Sequence, residues 1–159
     1  MPFPDPNHAV EGTVLPPRPG LGKKDRAILD AMIANGFVVW DRAWYNQAVG
    51  NLDRGAQAAL PPNLQDWFEL TYSKRPDVIY EHDGELFAAE VKPWASYVAL
   101  GQALMYRHFA TEKTNPTRQV KALILTDVAD PDLLPVAAKL GIEVRQLTFF
   151  LEPRPTFQT

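Results

Sequence analysis

Two runs rich in strand formers, RPDVIYEH at 75–82 and ELFAAEVK at 85–92, flank the pair Asp83-Gly84. Both central positions of a type I′ turn need positive φ, which Asp tolerates and Gly adopts freely, so this pair between two strand patterns specifies a tight hairpin. A two-residue turn fixes the register of the whole unit, with His82 facing Glu85 and each outer pair stepping away from it. Asp77 then lies directly across from Glu90. Side chains alternate with period two, so Lys92 points to the same face as Glu90, one step further along. Opposed residues on one face have Cβ atoms only about 4.5–5.5 Å apart, and like charges there repel. The hairpin therefore forces two carboxylates together beside an ammonium group.

The flanking segments place this hairpin in a larger sheet. Ile28, Leu29, Met32 and Ile33 recur at helical spacing from Lys23 onward, and Gly36 supplies the stop. FVVW at 37–40 reads as a strand. Between 41 and 70, NLDRGAQAAL and NLQDWFEL read as two short helices, with Pro61 and Pro62 breaking them apart. After the hairpin, ASYVALGQALMYRHFATEK reads as a helix and VKALILTD as a buried strand, with Asp127 at its end. Asp130 then caps a helix with Pro131 in its first turn, and Gly141 ends it before a last strand, IEVRQLTFF. This order predicts an α/β fold, a mixed central sheet flanked by helices on both faces. Residues 1–22 hold six of the fifteen prolines and read as an extended arm; residues 23–151 form the domain and 152–159 a tail.

Composition narrows the function classes. The chain has 159 residues, 46% apolar and 22% charged, which suits one globular domain. With no apolar run of eighteen residues and no basic, apolar leader, the expectation is a cytoplasmic protein without a membrane partner. The absence of cysteine removes disulfides, thiolate nucleophiles and thiolate zinc sites. A net charge of −3 does not advertise a nucleic-acid binder, so contact with DNA must rest on local clusters: Lys23, Lys24, Arg26; Lys74, Arg75; or Arg107, His108. Each cluster also reads as ordinary solvated surface. His8 and His82 lack a ligand spacing, and Trp40, Trp44, Trp67 and Trp94 read as packing residues.

Two readings fit the acidic pair. Lys92 could neutralise Glu90 and Asp77 in a half-exposed ion pair of little energetic value. Alternatively a divalent cation relieves the repulsion: carboxylates suit magnesium or manganese, and the Val91 carbonyl could add a ligand. Lys92 would then orient or help deprotonate a water, or stabilise charge at phosphorus.

Pro76-Asp77, twelve intervening residues, and Glu90-Val91-Lys92 resemble the motif of the PD-(D/E)XK nuclease superfamily. There a first hairpin strand carries Pro-Asp and the second closes with Glu-x-Lys. Gln102 and Tyr106, one i,i+4 step apart on the next helix, resemble the Gln-x-x-x-Tyr motif of its RecB-like branch. The resemblance implies a restriction-endonuclease-like fold over about residues 23–150 and a Mg²⁺- or Mn²⁺-dependent DNA endonuclease. Asp77 and Glu90, with the Val91 carbonyl, would be the metal ligands, Lys92 the catalytic lysine, and Gln102 and Tyr106 supporting groups. Lys74, Arg75, Trp94 and Arg107 would contact DNA. An acidic residue from the first helix is expected too, with Asp25, Asp30 and Glu69 as candidates. The EVKP ending resembles endonuclease subunits of heteromeric transposases and small junction resolvases. That implies a homodimer or a partner subunit in a complex for transposition, recombination, repair or defence. A catalytically inactive nucleic-acid-binding or assembly subunit on the same fold is the alternative.

Overall fold

The computed structural model describes residues 10–11, 20–114 and 118–148. Within them a six-stranded sheet runs in simple chain order: β1 (Val10–Glu11), β2 (Arg42–Tyr45), β3 (Val78–His82), β4 (Glu85–Ala95), β5 (Val120–Ala129) and β6 (Ile142–Gln146). The strands from β1 to β4 pair antiparallel, and β4–β5 and β5–β6 pair parallel, so the sheet is mixed. The parallel half needs helical crossovers, and α4 (Tyr97–Lys113) and α5 (Leu133–Lys139) supply them.

Helices cover both faces, as the element order predicts. On one face α1 (Lys23–Ala34) buries Ile28, Leu29 and Met32 against Tyr80, Ala89, Val91 and Leu123. On the other, α4 lays Ala99 and Ala103 toward Ala122 and Ile124, and Tyr106 and Ala110 toward Ile79, Leu86 and Ala88. Alanine dominates this stripe, so the helix approaches the sheet closely, and Tyr106 is the one bulky side chain among its buried residues. Ser96 caps α4, its hydroxyl accepting from Val98 N at 3.4 Å. No helix among the described residues is long and apolar enough to cross a membrane.

Several boundaries depart from the sequence expectation. FVVW at 37–40 is not a strand: Phe37 N and Val38 N return to the Met32 carbonyl at 2.8 and 3.3 Å, closing off α1. The ladder starts later, with Asp41 N on Glu81 O, and the strand is Arg42–Tyr45. The run of strand formers misled here because Val38 and Trp40 are buried beneath the loop. β5 runs past Asp127 to Ala129, and Asp130 precedes the helix rather than capping it: its Oδ1 accepts from Asp132 N in the turn before Leu133. Of the expected N-terminal arm, Val10–Glu11 forms an edge strand on β2. Residues 1–9 and 12–19, His8 among them, and 149–159 lie outside the described residues.

The two short helices are present as α2 (Arg54–Ala58) and α3 (Pro62–Tyr72). Neither buries a single residue, and each packs chiefly on the other. Trp67, expected to be a packing residue, is 56% exposed.

Candidate active site

The hairpin register is the one its turn chemistry dictates. Asp83 and Gly84 have φ of 49° and 77°, His82 pairs with Glu85, and Val78 pairs with Ala89. Asp77 stands just before β3, and Glu90 is the next residue of β4. Asp77 Oδ2 accepts a hydrogen bond from Val91 N at 2.8 Å, which fixes the carboxylate across the end of the strand. A strand residue turns its N–H and C=O toward the same neighbour. The Val91 carbonyl therefore points the same way as its N–H, past the point where β3 begins.

Lys92 Nζ lies 2.5 Å from Glu90 Oε1, with the Glu90 side chain 2% exposed and that of Lys92 32%. The second carboxylate oxygen, Glu90 Oε2, is buried and has no hydrogen-bond partner among the described residues. A buried, ionisable oxygen left unpaired is costly unless something else satisfies it. From α4, Tyr106 and Gln102 close the site, Gln102 Nε2 reaching the Tyr106 hydroxyl at 3.5 Å.

The electrostatics follow from this crowding. Burial, and then the charge of Asp77, push the Glu90 carboxyl up to about 7. Burial raises Asp77 too, against the hydrogen bond from Val91 and the charge of Lys92, and the two carboxyls sit close enough to share one proton. Burial pulls the Lys92 ammonium down, but its hydrogen bond to Glu90 and the charges of Glu90, Asp77 and Asp25 outweigh it, leaving Lys92 above its ordinary value. Tyr106 is raised by burial and by both carboxylates, so it keeps its phenolic proton.

Of the three first-helix candidates, Asp25 is the one whose charge reaches Asp77, Glu90 and Lys92. Helix phase explains it. Asp25 lies three and four residues before the buried Ile28 and Leu29, on the sheet-facing stripe, whereas Asp30 is exposed. That phase was available in the sequence. Glu69 belongs to α3 and pairs with Arg54 at 2.9 Å.

A polar cavity of about 380 Å³ opens beside Asp77, Gln102 and Tyr106, and Lys74 and Arg75 line it with Asn46. Arg75 donates to the Asn46 carbonyl at 2.6 Å, and Val49 N donates to Lys74 O, so the 46–50 loop is tied to the cationic pair. No local pattern marks Asn46, which joins through tertiary contact alone. Trp94 is half-buried at the far end of β4. Arg107 donates to the Leu140 and Gly141 carbonyls at the end of α5 and does not line the cavity. His108 lies 3.4 Å from Glu112 on the outer side of α4.

No protein-family model and no curated protein matches the chain. Among solved structures it is similar to a repair endonuclease from Pyrococcus abyssi, at 15% identity and a TM-score of 0.49. The match covers 80% of this chain and 47% of that one, so the chain spans about half the length of that endonuclease.

A second group of ligand-type atoms, from Asp41, His82 and Asp83, gathers within 4.8 Å at the turn end of the hairpin. His82 stands five positions along the strand from Asp77, roughly 17 Å away. Asp41 and Asp83 are exposed, as such surface acids commonly are without a metal.

Proposed function

We propose that this protein is a metal-dependent DNA endonuclease that hydrolyses phosphodiester bonds with a water nucleophile. The observation that carries the reading is Glu90: a buried carboxyl held against Asp77, close enough to share a proton with it, with one oxygen on Lys92. A hard divalent cation fits the donor set, since Asp77, Glu90 and the Val91 carbonyl are all oxygen ligands. Bound there, Mg²⁺ or Mn²⁺ would supply Lewis acidity and a more acidic water.

The chain's own residues supply the rest. Lys92 stays an ammonium in this setting, so it orients the water and stabilises charge on the phosphoryl oxygens instead of taking a proton. Tyr106 keeps its proton and serves as a hydrogen-bond donor at the site wall, with Gln102 holding its hydroxyl. Asp25 adds a third acidic group from α1. Lys74 and Arg75 contact backbone phosphates, Trp94 stacks against a base or sugar, and Arg107 provides a more distant phosphate contact. A net charge of −3 leaves little non-specific grip, which favours a homodimer or a partner subunit in a DNA-processing complex.

Plasmid or oligonucleotide cleavage that requires Mg²⁺ or Mn²⁺ tests this. Asp77→Ala and Lys92→Ala should each lower the rate by about 10²–10⁴ while circular dichroism stays native. Cleavage by the double variant at the wild-type rate would refute the assignment. No calorimetric signal with either cation, together with retained nucleic-acid binding by Glu90→Gln, would instead identify a non-catalytic subunit.

A further inference from the structure

The region around the candidate site contains a feature that phosphodiester chemistry does not use. The α2–α3 arm carries Leu64, Trp67, Leu70 and Tyr72 at 41, 56, 64 and 52% exposure, on helices that bury nothing. Trp67 meets Tyr72 edge-on with ring centroids 6.2 Å apart, and the Phe68 ring lies 4.7 Å from that of Tyr72. The rings are therefore held in place while their outer surfaces face water. Such a surface is costly to a monomer unless something binds it.

Two observations identify the occupant. The first is continuity: Leu70 and Ser73, at the base of α3, line the same cavity as Asp77, Gln102 and Tyr106. A chain lying in that cavity passes directly onto the arm. The second is charge. Lys74 and Arg75 stand at the root of the arm, and Lys113, which donates to the Ala48 carbonyl at 3.1 Å, lies within electrostatic reach of Arg54 and Arg75. Of the arm's acids, Glu69 is paired with Arg54 and Asp53 is engaged in capping Ala56 N, which leaves Asp66 exposed. Exposed, braced aromatics beside a cationic strip suit a polyanion whose unpaired bases can stack. A duplex hides its base faces and offers nothing to Trp67.

We infer that the α2–α3 arm is a stacking platform for single-stranded nucleic acid leading to or from the Asp77–Glu90–Lys92 site. The nuclease reading then gains a substrate class: strands with an unpaired segment, such as a flap, a splayed junction or an end. The inference rests on that reading for the placement of the strand; the stacking itself is tested without metal or cleavage.

The full-length protein in EDTA is titrated into a labelled twelve-nucleotide oligothymidine, the corresponding duplex, and oligouridine, followed by anisotropy and by tryptophan fluorescence. The single strand should bind more tightly than the duplex and quench emission, and Trp67→Ala should weaken it about 5- to 150-fold, with Trp67→Phe recovering most of the loss. Asp66→Asn should tighten binding slightly. Equal binding of oligouridine shows that the platform reads bases and not the sugar. Wild-type affinity in Trp67→Ala overturns the inference. So does a loss of self-association in that variant by sedimentation with single-strand binding unchanged, since the arm would then be a protein interface. In the wild-type protein, metal-dependent duplex cleavage without any preference for the single strand fells the platform alone, and single-strand stacking without metal-dependent cleavage fells only the nuclease reading.

Discussion

Every residue from Leu86 to Val91 is buried, whereas no residue of α2 or α3 is. Both regions adjoin Asp77, yet they are held by opposite means. The hairpin lies between α1 and α4 and is gripped on both faces of the sheet, so its backbone is stiff enough to force Asp77 against Glu90. The arm is tied down at its root, through Arg75 on Asn46, Lys113 on Ala48 and the Val49–Lys74 backbone bond. A charge cluster needs the first kind of support, because repelling groups stay together only where the scaffold cannot relax. A surface that adapts to a flexible strand is served by the second.

The sharpest way to break that comparison is to cut one large apolar side chain from each region. Ile79 is fully buried between β2, β4 and α4, so Ile79→Ala should cost about 2–5 kcal/mol of unfolding free energy. Trp67→Ala removes a larger side chain and should change stability by no more than about 0.5 kcal/mol. Urea denaturation of both variants checks this. A cost for Trp67→Ala approaching that of Ile79→Ala would mean that the arm is part of the core.

The same contrast governs how much was readable from the chain. Asp83-Gly84 determines the register, and the register determines which side chains face one another, so Asp77, Glu90 and Lys92 were legible as a cluster. Gln102 and Tyr106 stood out only by their resemblance to a Gln-x-x-x-Tyr motif, which one helical step places on a single face. The strand at 42–45 was not legible, because Val38 and Trp40 are buried in a loop and imitate its pattern. Asn46 and the cavity beside Asp77 depend on hydrogen bonds between segments 29 residues apart, which no local pattern encodes. The exposure of Trp67 was illegible for a related reason: an amphipathic helix is written alike whether its apolar stripe meets a core or water.

Two glutamates sharpen the comparison through pH. Glu90 is raised from 4.5 to about 7 by burial and by Asp77. Between those values the unfolded chain has lost a proton that the folded metal-free protein keeps, so stability falls as pH rises across that window. The drop is on the order of 3 kcal/mol, and Glu90→Gln should remove most of it. Glu69 behaves oppositely: hydrogen bonds from Arg54 and Gln57 lower it, so its contribution is present above 4.5 and is lost as pH falls below that value. Solvent screening keeps that contribution within about 0.5 kcal/mol. Denaturation in EDTA between pH 4 and 8 checks both signs, and an unchanged slope in Glu90→Gln would contradict the first.

The boundary between the two regions can be probed at Gly50. A Cβ there would stand 2.7 Å from Lys74 Cγ and 2.8 Å from its Cβ; Cγ can leave by χ1 rotation, but Cβ moves only with the backbone. Gly50→Ala should therefore shift the 74–75 segment and cost about 1–3 kcal/mol, with amide shifts at Lys74 and Arg75 larger than those in β5. Equal stability and an unmoved Arg75 would show that the root is looser than its contacts imply.

The smallest effect is the most discriminating. Arg54 joins the two helices of the arm, reaching Gln57 Oε1 at 2.7 Å and Glu69 Oε2 at 2.9 Å, and Gln57 reaches the Gln65 carbonyl at 3.1 Å. These are largely exposed polar contacts, worth a few tenths of a kcal/mol each. Arg54→Ala should leave the global denaturation midpoint where it was, because an arm that opens without the sheet contributes little to the cooperative transition. Hydrogen exchange should nevertheless quicken several-fold in α3 and stay unchanged in β4. If Arg54→Ala quickened exchange in α3 and β4 alike, or lowered the global midpoint, the arm and the hairpin would open as one unit. The adaptable surface beside the rigid acidic pair would then be rigid too, and single strands would have to fit it without rearrangement.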